Sequence, residues 1–162
     1  MVNFNYADYL LSKYQDEGSL YLNNYNHVRQ GKLASVGSSI SFQIRIPNKF
    51  FWKDFKIMAY DVAGSVYGIS QNLRDVLTVQ ILNNSTGQNL FEAPVDITLF
   101  SPHNIGVPNI FPEVLEPNTN LTITIYHEPV VGIATYNDLL TLPIDVRVYM
   151  IGAVMNKVNN GF

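Results

Sequence analysis

His27, His103 and His127 are the residues of this chain best suited to metal binding or to general acid–base work. They lie far apart, and no HxH or HExxH spacing sets two of them on one face as ready ligands. One grouping could be assembled by folding: His127-Glu128 at a strand end, joined by His103. The plainer reading of all three is ordinary loop and strand-end positions. Glu113 and Glu116 stand three residues apart, and a carboxylate pair held about 5–10 Å apart across a sugar can hydrolyse a glycoside. No aromatic, charged cleft accompanies them, so they read as solvated loop charges. Asp61 and Asp75 flank the glycine-containing segment Val62-Ala63-Gly64-Ser65-Val66-Tyr67-Gly68. Such a loop can cradle a phosphate when it opens a helix after a strand. Here it carries no GK[ST] and has no βαβ context, so a plain inter-strand loop is expected. There is no GxSxG elbow, and no serine has a His/Asp pattern nearby. Cysteine is absent, which removes disulfides, thiolate zinc sites and thiol nucleophiles together. No catalytic residue, metal site or cofactor is therefore expected, and the chain reads as a non-enzyme.

What remains is binding, and the bulk composition favours it. Hydrophobic residues make up 47% of the 162 and charged residues only 14%, against roughly 25% in an average soluble domain. A surface so poor in charge is best kept soluble by covering part of it in an assembly. Net charge is -3, from 10 basic and 13 acidic residues. The basic ones are scattered from Lys13 to Lys157, so no stripe is laid out for a nucleic-acid backbone. The first residues, MVNFNYADYLLSKYQDEG, include Asp8 and no early basic cluster, which is unlike a secretory leader. No apolar run approaches the roughly 18 residues of a membrane-spanning helix. Three sequons, Asn83-Asn84-Ser85, Asn84-Ser85-Thr86 and Asn120-Leu121-Thr122, read as chance matches, because asparagine outnumbers lysine and arginine together.

The elements that would position any site are strands. From residue 40 onward the apolar period is two. Ile40, Phe42, Ile44 and Ile46 alternate with polar residues and stop at Pro47. Phe55, Ile57 and Ala59 do the same, as do Leu77, Val79 and Ile81. After the turn Asn83 to Gly87, Gln88 to Phe91 can return as a hairpin partner. Val95, Ile97 and Leu99 alternate next. Residues 101–118 are a proline-rich connection that cannot be a central strand, because proline lacks a ladder donor. Leu121, Ile123 and Ile125, then Ile144, Val146, Val148 and Met150, complete seven or eight strands without a long helix between them. The expected fold is an all-β antiparallel β-sandwich of jelly-roll or Greek-key type, over residues 39–162.

Residues 1–38 differ and are expected to form an N-terminal arm. Phe4, Tyr6, Tyr9, Tyr14, Tyr21 and Tyr25 fall there, with Leu10, Leu11, Leu20 and Leu22, and without sustained alternation. A short helix fits Tyr6, Leu10 and Tyr14 at i, i+4 and i+8, and Gly31 to Ser39 reads as a hinge. A segment this apolar needs burial, either on its own sandwich or in a neighbouring subunit. In the second case Phe4, Tyr6, Tyr9, Leu10, Tyr14, Tyr21 and Tyr25 are the interface residues, large anchors of low conformational entropy.

The runs LTVQILNNSTGQNLFEAPVDITLF, PNIFPEVLEPNTNLTITIYH and IDVRVYMIGAVMNK, about half of the chain, resemble small structural proteins of bacterial-virus (phage) particles. That resemblance implies a jelly-roll virion component: a capsid shell, vertex, decoration or connector subunit, assembled in the host cytoplasm. Its partners would be copies of itself or other virion proteins, with no direct contact to nucleic acid. Contact would run through the arm and the loops at 61–75 and 101–118. The rival reading is a carbohydrate- or receptor-binding module of a phage adhesin, in which Trp52, Tyr67 and Tyr136 would stack on sugar rings.

Overall fold

Most successive strands of this chain lie in alternate sheets, so that most turns carry the chain across the core. The structure is a computed structural model and describes residues 20–35, 37–64, 76–100, 113–128 and 142–157. Among these residues the strands are β1 (Leu20–Leu33), β2 (Ser39–Arg45), β3 (Phe50–Tyr60), β4 (Val76–Asn83), β5 (Gln88–Asn89), β6 (Val95–Asp96), β7 (Glu113–Leu115), β8 (Asn120–Glu128) and β9 (Ile144–Lys157). One sheet has the order β1-β9-β3-β7; the other runs β2-β8-β4-β5, with β6 also on β4. Every pairing is antiparallel.

The pairings β1 with β9, β2 with β8, β3 with β7, and β4 with β5 and β6 are those of one long hairpin. The pairs β3 with β9 and β4 with β8 roll that hairpin into two facing sheets. This is the connectivity of a jelly roll, the first of the two topologies that the periodicity leaves open. The core lies between the sheets. Ile44, Leu77, Ile81, Leu121 and Ile123 meet Phe55, Ile57, Ile144, Val146 and Val148, all 2% exposed or less.

A β-bulge in β3 decides which aromatics enter that core. Trp52 is opposite Gly152 and Asp54 opposite Ile151, so Lys53 is the extra residue. Before the bulge Phe50 and Trp52 point inward; after it Phe55, Ile57 and Ala59 do. The inserted residue flips the strand by one, and Phe51 faces outward with Met155, Leu22 and Val114. Gly152 is required beside it. A Cβ there would meet the Phe51 carbonyl oxygen and lie 2.8 Å from Cε1 of Phe50.

Three expectations are corrected. Residues 20–33, assigned by the sequence to the arm, form β1, paired along its full length with β9; Gly31 belongs to this strand and not to a hinge. The alternation Val95, Ile97, Leu99 yields only the two-residue β6, followed by a 3₁₀ helix at Ile97–Phe100. The Asp96 carboxylate accepts the Thr98 N–H at 2.8 Å, which starts the turn. Ile97 and Phe100, three apart, then both reach the core. The proline-rich connection contains β7, three residues at the sheet edge and not in a central position. The helix expected over Tyr6 to Tyr14 lies outside the described residues.

Candidate functional site

Among the described residues, those singled out for chemistry do not converge. His127 is 2% exposed on the core side of β8, and its backbone N–H donates to the Ser38 carbonyl. Glu128, next along the strand, points the other way and accepts the Thr78 hydroxyl at 2.9 Å. His27 sits on β1 near Phe50, at the opposite end of the sandwich, and His103 lies outside the described residues. Among the described residues no three His, Asp or Glu side chains are placed to hold a metal. Asp61 is buried and its carbonyl accepts the Gly64 N–H at 3.1 Å, with Gly64 at φ 84°, so the loop opens with a tight turn. Glu116 is exposed and pairs with Lys49 at 3.4 Å, in the turn after β7. Glu113 stands in β7 itself.

The sugar-stacking set is corrected at Trp52. Its side chain is wholly buried, and its indole N–H donates to the Asp54 carbonyl at 2.8 Å. Tyr67 and Tyr136 lie outside the described residues. Of the anticipated interface residues, Phe4, Tyr6, Tyr9, Leu10 and Tyr14 also lie outside them. Tyr21 and Tyr25 belong to β1. Tyr25 is 52% exposed, with its ring edge-on to His27 at 4.9 Å.

Sequence reasoning missed the contrast between the outer faces of the two sheets. On the β1-β9-β3-β7 sheet, the side pointing away from the core carries Leu22 and Val28 from β1, and Tyr149, Ile151 and Met155 from β9. β3 adds Phe51, Met58 and Tyr60, and β7 adds Val114. Two of the cations on this face have a carboxylate beside them, whereas Arg147 and Lys53 lie over aromatic rings. Lys56 lies 3.5 Å from Asp54, Lys32 lies 4.0 Å from Asp145, and the Arg147 guanidinium sits 5.2 Å over the Tyr60 ring. Phe51 and Met155 are only 4% and 7% exposed although they face away from the core.

The other outer face is hydroxyl and amide. Ser39, Ser41, Gln43 and Arg45 are exposed along β2. The Ser41 and Thr124 hydroxyls lie 2.9 Å apart, and Asn84 donates to the Thr122 hydroxyl at 2.8 Å. Gln80 donates to the Phe91 carbonyl at 3.0 Å. Hydroxyl and amide side chains thus bond one another and the backbone across this face, as on a solvated sheet. A signal for the difference exists in the sequence, because Met58, Tyr60, Tyr149 and Ile151 occupy the nominally polar positions of β3 and β9. Period-two reading discards it by scoring only the alternate residues.

A smaller feature lies at the short-turn end. Tyr25, His27, Ile46, Pro47, Phe50 and Val154 line a cleft of about 240 Å³. The His27 Nε2 is buried there without a hydrogen-bond partner. Burial, and then the nearby Arg29 cation, hold the His27 pKa below its ordinary value. His27 is thus kept neutral, a packed ring between Tyr25 and Phe50.

No protein-family model matches the chain, and no curated protein does. Among solved structures, it aligns with the crystal structure of the infectious bursal disease virus VP2 subviral particle. Identity is 16%, the TM-score is 0.29, and the alignment covers 85% of this chain and 38% of that one. The chain thus spans well under half of that neighbour, and a likeness at this score carries no functional argument.

Proposed function

We infer that this chain is a structural subunit that works by assembly, as a component of a virus particle, and specifically of the phage type that its sequence resembles. The observation that carries assembly is the outer face of the β1-β9-β3-β7 sheet, where aromatic and aliphatic side chains gather. A gathering of apolar side chains on an outer face of this kind is what a partner's surface covers. Burying it gains roughly 25 cal/mol per Å² before the costs of ordering. The mode of action is contact: the sheet is a rigid platform, and a partner subunit seats on its apolar side. The virion role leans on the sequence resemblance and on the jelly roll as a fold used by viral capsid proteins among others, which is analogy. Partners are then copies of the chain or other proteins of the particle, assembled in the host cytoplasm. The adhesin reading loses its central aromatic with the burial of Trp52, and no observation favours it.

The test is the solution mass of the full chain by light scattering, for wild type and for the double variant Met58→Asp, Tyr149→Asp. The expected result is collapse of the assembly to monomer, while Thr124→Asp on the other sheet leaves the mass unchanged. An unchanged mass in the double variant overturns the reading. A truncation that probes the arm has to end before Leu20, because β1 is part of the sheet. Removing residues 2–18 is expected to weaken assembly and spare the fold, read by the same measurement alongside a thermal melt.

A further inference from the structure

We propose that β1 is a pairing edge, on which a second copy of this chain adds its own β1 antiparallel, joining two four-stranded sheets into one. The proposal rests on the same reading of the chain as an assembling subunit, but it uses the strand's edge where that reading uses the sheet's face.

Among the described residues β1 pairs with β9 alone, through 14 residues and with no shift of register. Edge strands that stay single are usually short, bulged, proline-bearing or well charged. The other edge of the same sheet obeys that rule: β7 has three residues, next to Pro112 and close to Pro117. In the neighbouring sheet the edge strand β2 has only seven residues, half the length of β1; the Arg29 guanidinium donates to one carbonyl of each strand, Gln43 at 3.0 Å and Val28 at 2.9 Å. β1 has length, no bulge and no proline, and its described charges are only Arg29 and Lys32. Tyr25 and Val28, 52% and 46% exposed, are two of the four large hydrophobic side chains left exposed among the described residues.

The side chains on β1 select the partner. Asn23, Asn24, Asn26 and Gln30 are exposed amides, each a donor and an acceptor at once, and so complementary to themselves. Both cations lie in the second half of the strand. Parallel pairing in register would set Arg29 against Arg29 and Lys32 against Lys32. Antiparallel pairing about a two-fold axis at Asn26 sets Arg29 opposite Asn23, Lys32 opposite Leu20, and Val28 opposite Asn24. Like charges are then separated. An axis normal to the sheet also keeps the two apolar outer faces on one side, continuous across the junction.

The chain has no cysteine, so single cysteines report the contact without background. In the proposed register Asn26 lies directly opposite its own copy, with Cα atoms about 4.5–5.5 Å apart, within disulfide reach. Under mild oxidation Asn26→Cys is expected to convert most of the protein to a covalent dimer, and Lys32→Cys is not. An equimolar mixture of Asn24→Cys and Val28→Cys is expected to give the mixed dimer. Each variant is first checked for a wild-type melting temperature. Absence of the Asn26 cross-link in a folded variant overturns the pairing. The measurement separates the two readings. A cross-link that persists on the Met58→Asp, Tyr149→Asp background supports the edge independently of the sheet face. Loss of the Asn26 cross-link while the wild-type mass stays high overturns the edge and leaves the face standing.

Discussion

The two sheets of this jelly roll bury similar inner faces and turn unlike outer faces to their surroundings. Behind β2, β8 and β4 the outward residues are mostly serine, threonine, asparagine and glutamine, with Arg45, Leu82, Tyr126 and Glu128 among them, and they are tied by hydroxyl and amide hydrogen bonds a few ångströms long. Behind β9 and β3 they are chiefly tyrosine, methionine, isoleucine and phenylalanine, with two ion pairs and two cations over aromatic rings among them. Core packing demands nothing of either outer face, so the difference reports what each is for. A hydroxylated sheet is finished when water covers it. On the other sheet Phe51 and Met155 are already buried on the side away from the core, packed against Leu22 and Val114, and the apolar residues beside them are the ones a partner would cover.

That contrast can be broken by substitution, and the largest effect is expected at the aromatic on the apolar outside. Phe51→Ala should cost about 3–5 kcal/mol, as for a core phenylalanine, whereas Ser41→Ala on the other face should stay within about 0.5 kcal/mol. Chemical denaturation of the two variants measures this, and equal costs would mean that the faces do not differ. Gly152→Ala is expected to come next, at about 1–3 kcal/mol. The added methyl meets the Phe51 carbonyl oxygen, a backbone atom pinned by the bulge, and cannot be relieved by a rotamer change. Gly31→Ala, on the same sheet, should be milder, because an added methyl there meets the movable end of Ile40. The melting temperatures of the two variants rank them.

The smallest effect sharpens the comparison by pH. His27 faces inward on β1 and is held neutral, its pKa lowered by burial and by Arg29. The unfolded chain therefore binds a proton that the folded chain refuses. Its contribution to stability is complete above the ordinary histidine value of about 6.5 and is lost as the pH falls through and below that value. Melting temperatures of wild type and His27→Gln, taken across this range, should converge as the pH drops. Parallel curves would show that His27 does not titrate against folding.

Much of this was legible in the residues, and the limits are instructive. Ile40 to Ile46, Leu77 to Ile81 and Ile144 to Met150 alternate so cleanly that each is a strand with its inner face named in advance. Leu20 to Leu33 does not alternate, because its outward side carries Leu22 and Val28 and its inward side carries Arg29 and Gly31. Apolar residues on the outside and a charge on the inside erase the period, and the segment reads as an arm. Phe50-Phe51-Trp52 defeats the pattern for a second reason. Three aromatics in succession cannot show which way each points, and the answer depends on Lys53 bulging against β9.

The sequence alone determined that this is an all-β chain with most of its core residues in place, because strand formation and burial are local matters of period and side-chain type. Tertiary structure alone decided the rest. Strand order, the inward turn of Trp52, the separation of His27 from His127 and the unlike outer faces all depend on which strands pair and in what register. Those contacts join residues as far apart as Leu20 and Lys157, and no local pattern records them.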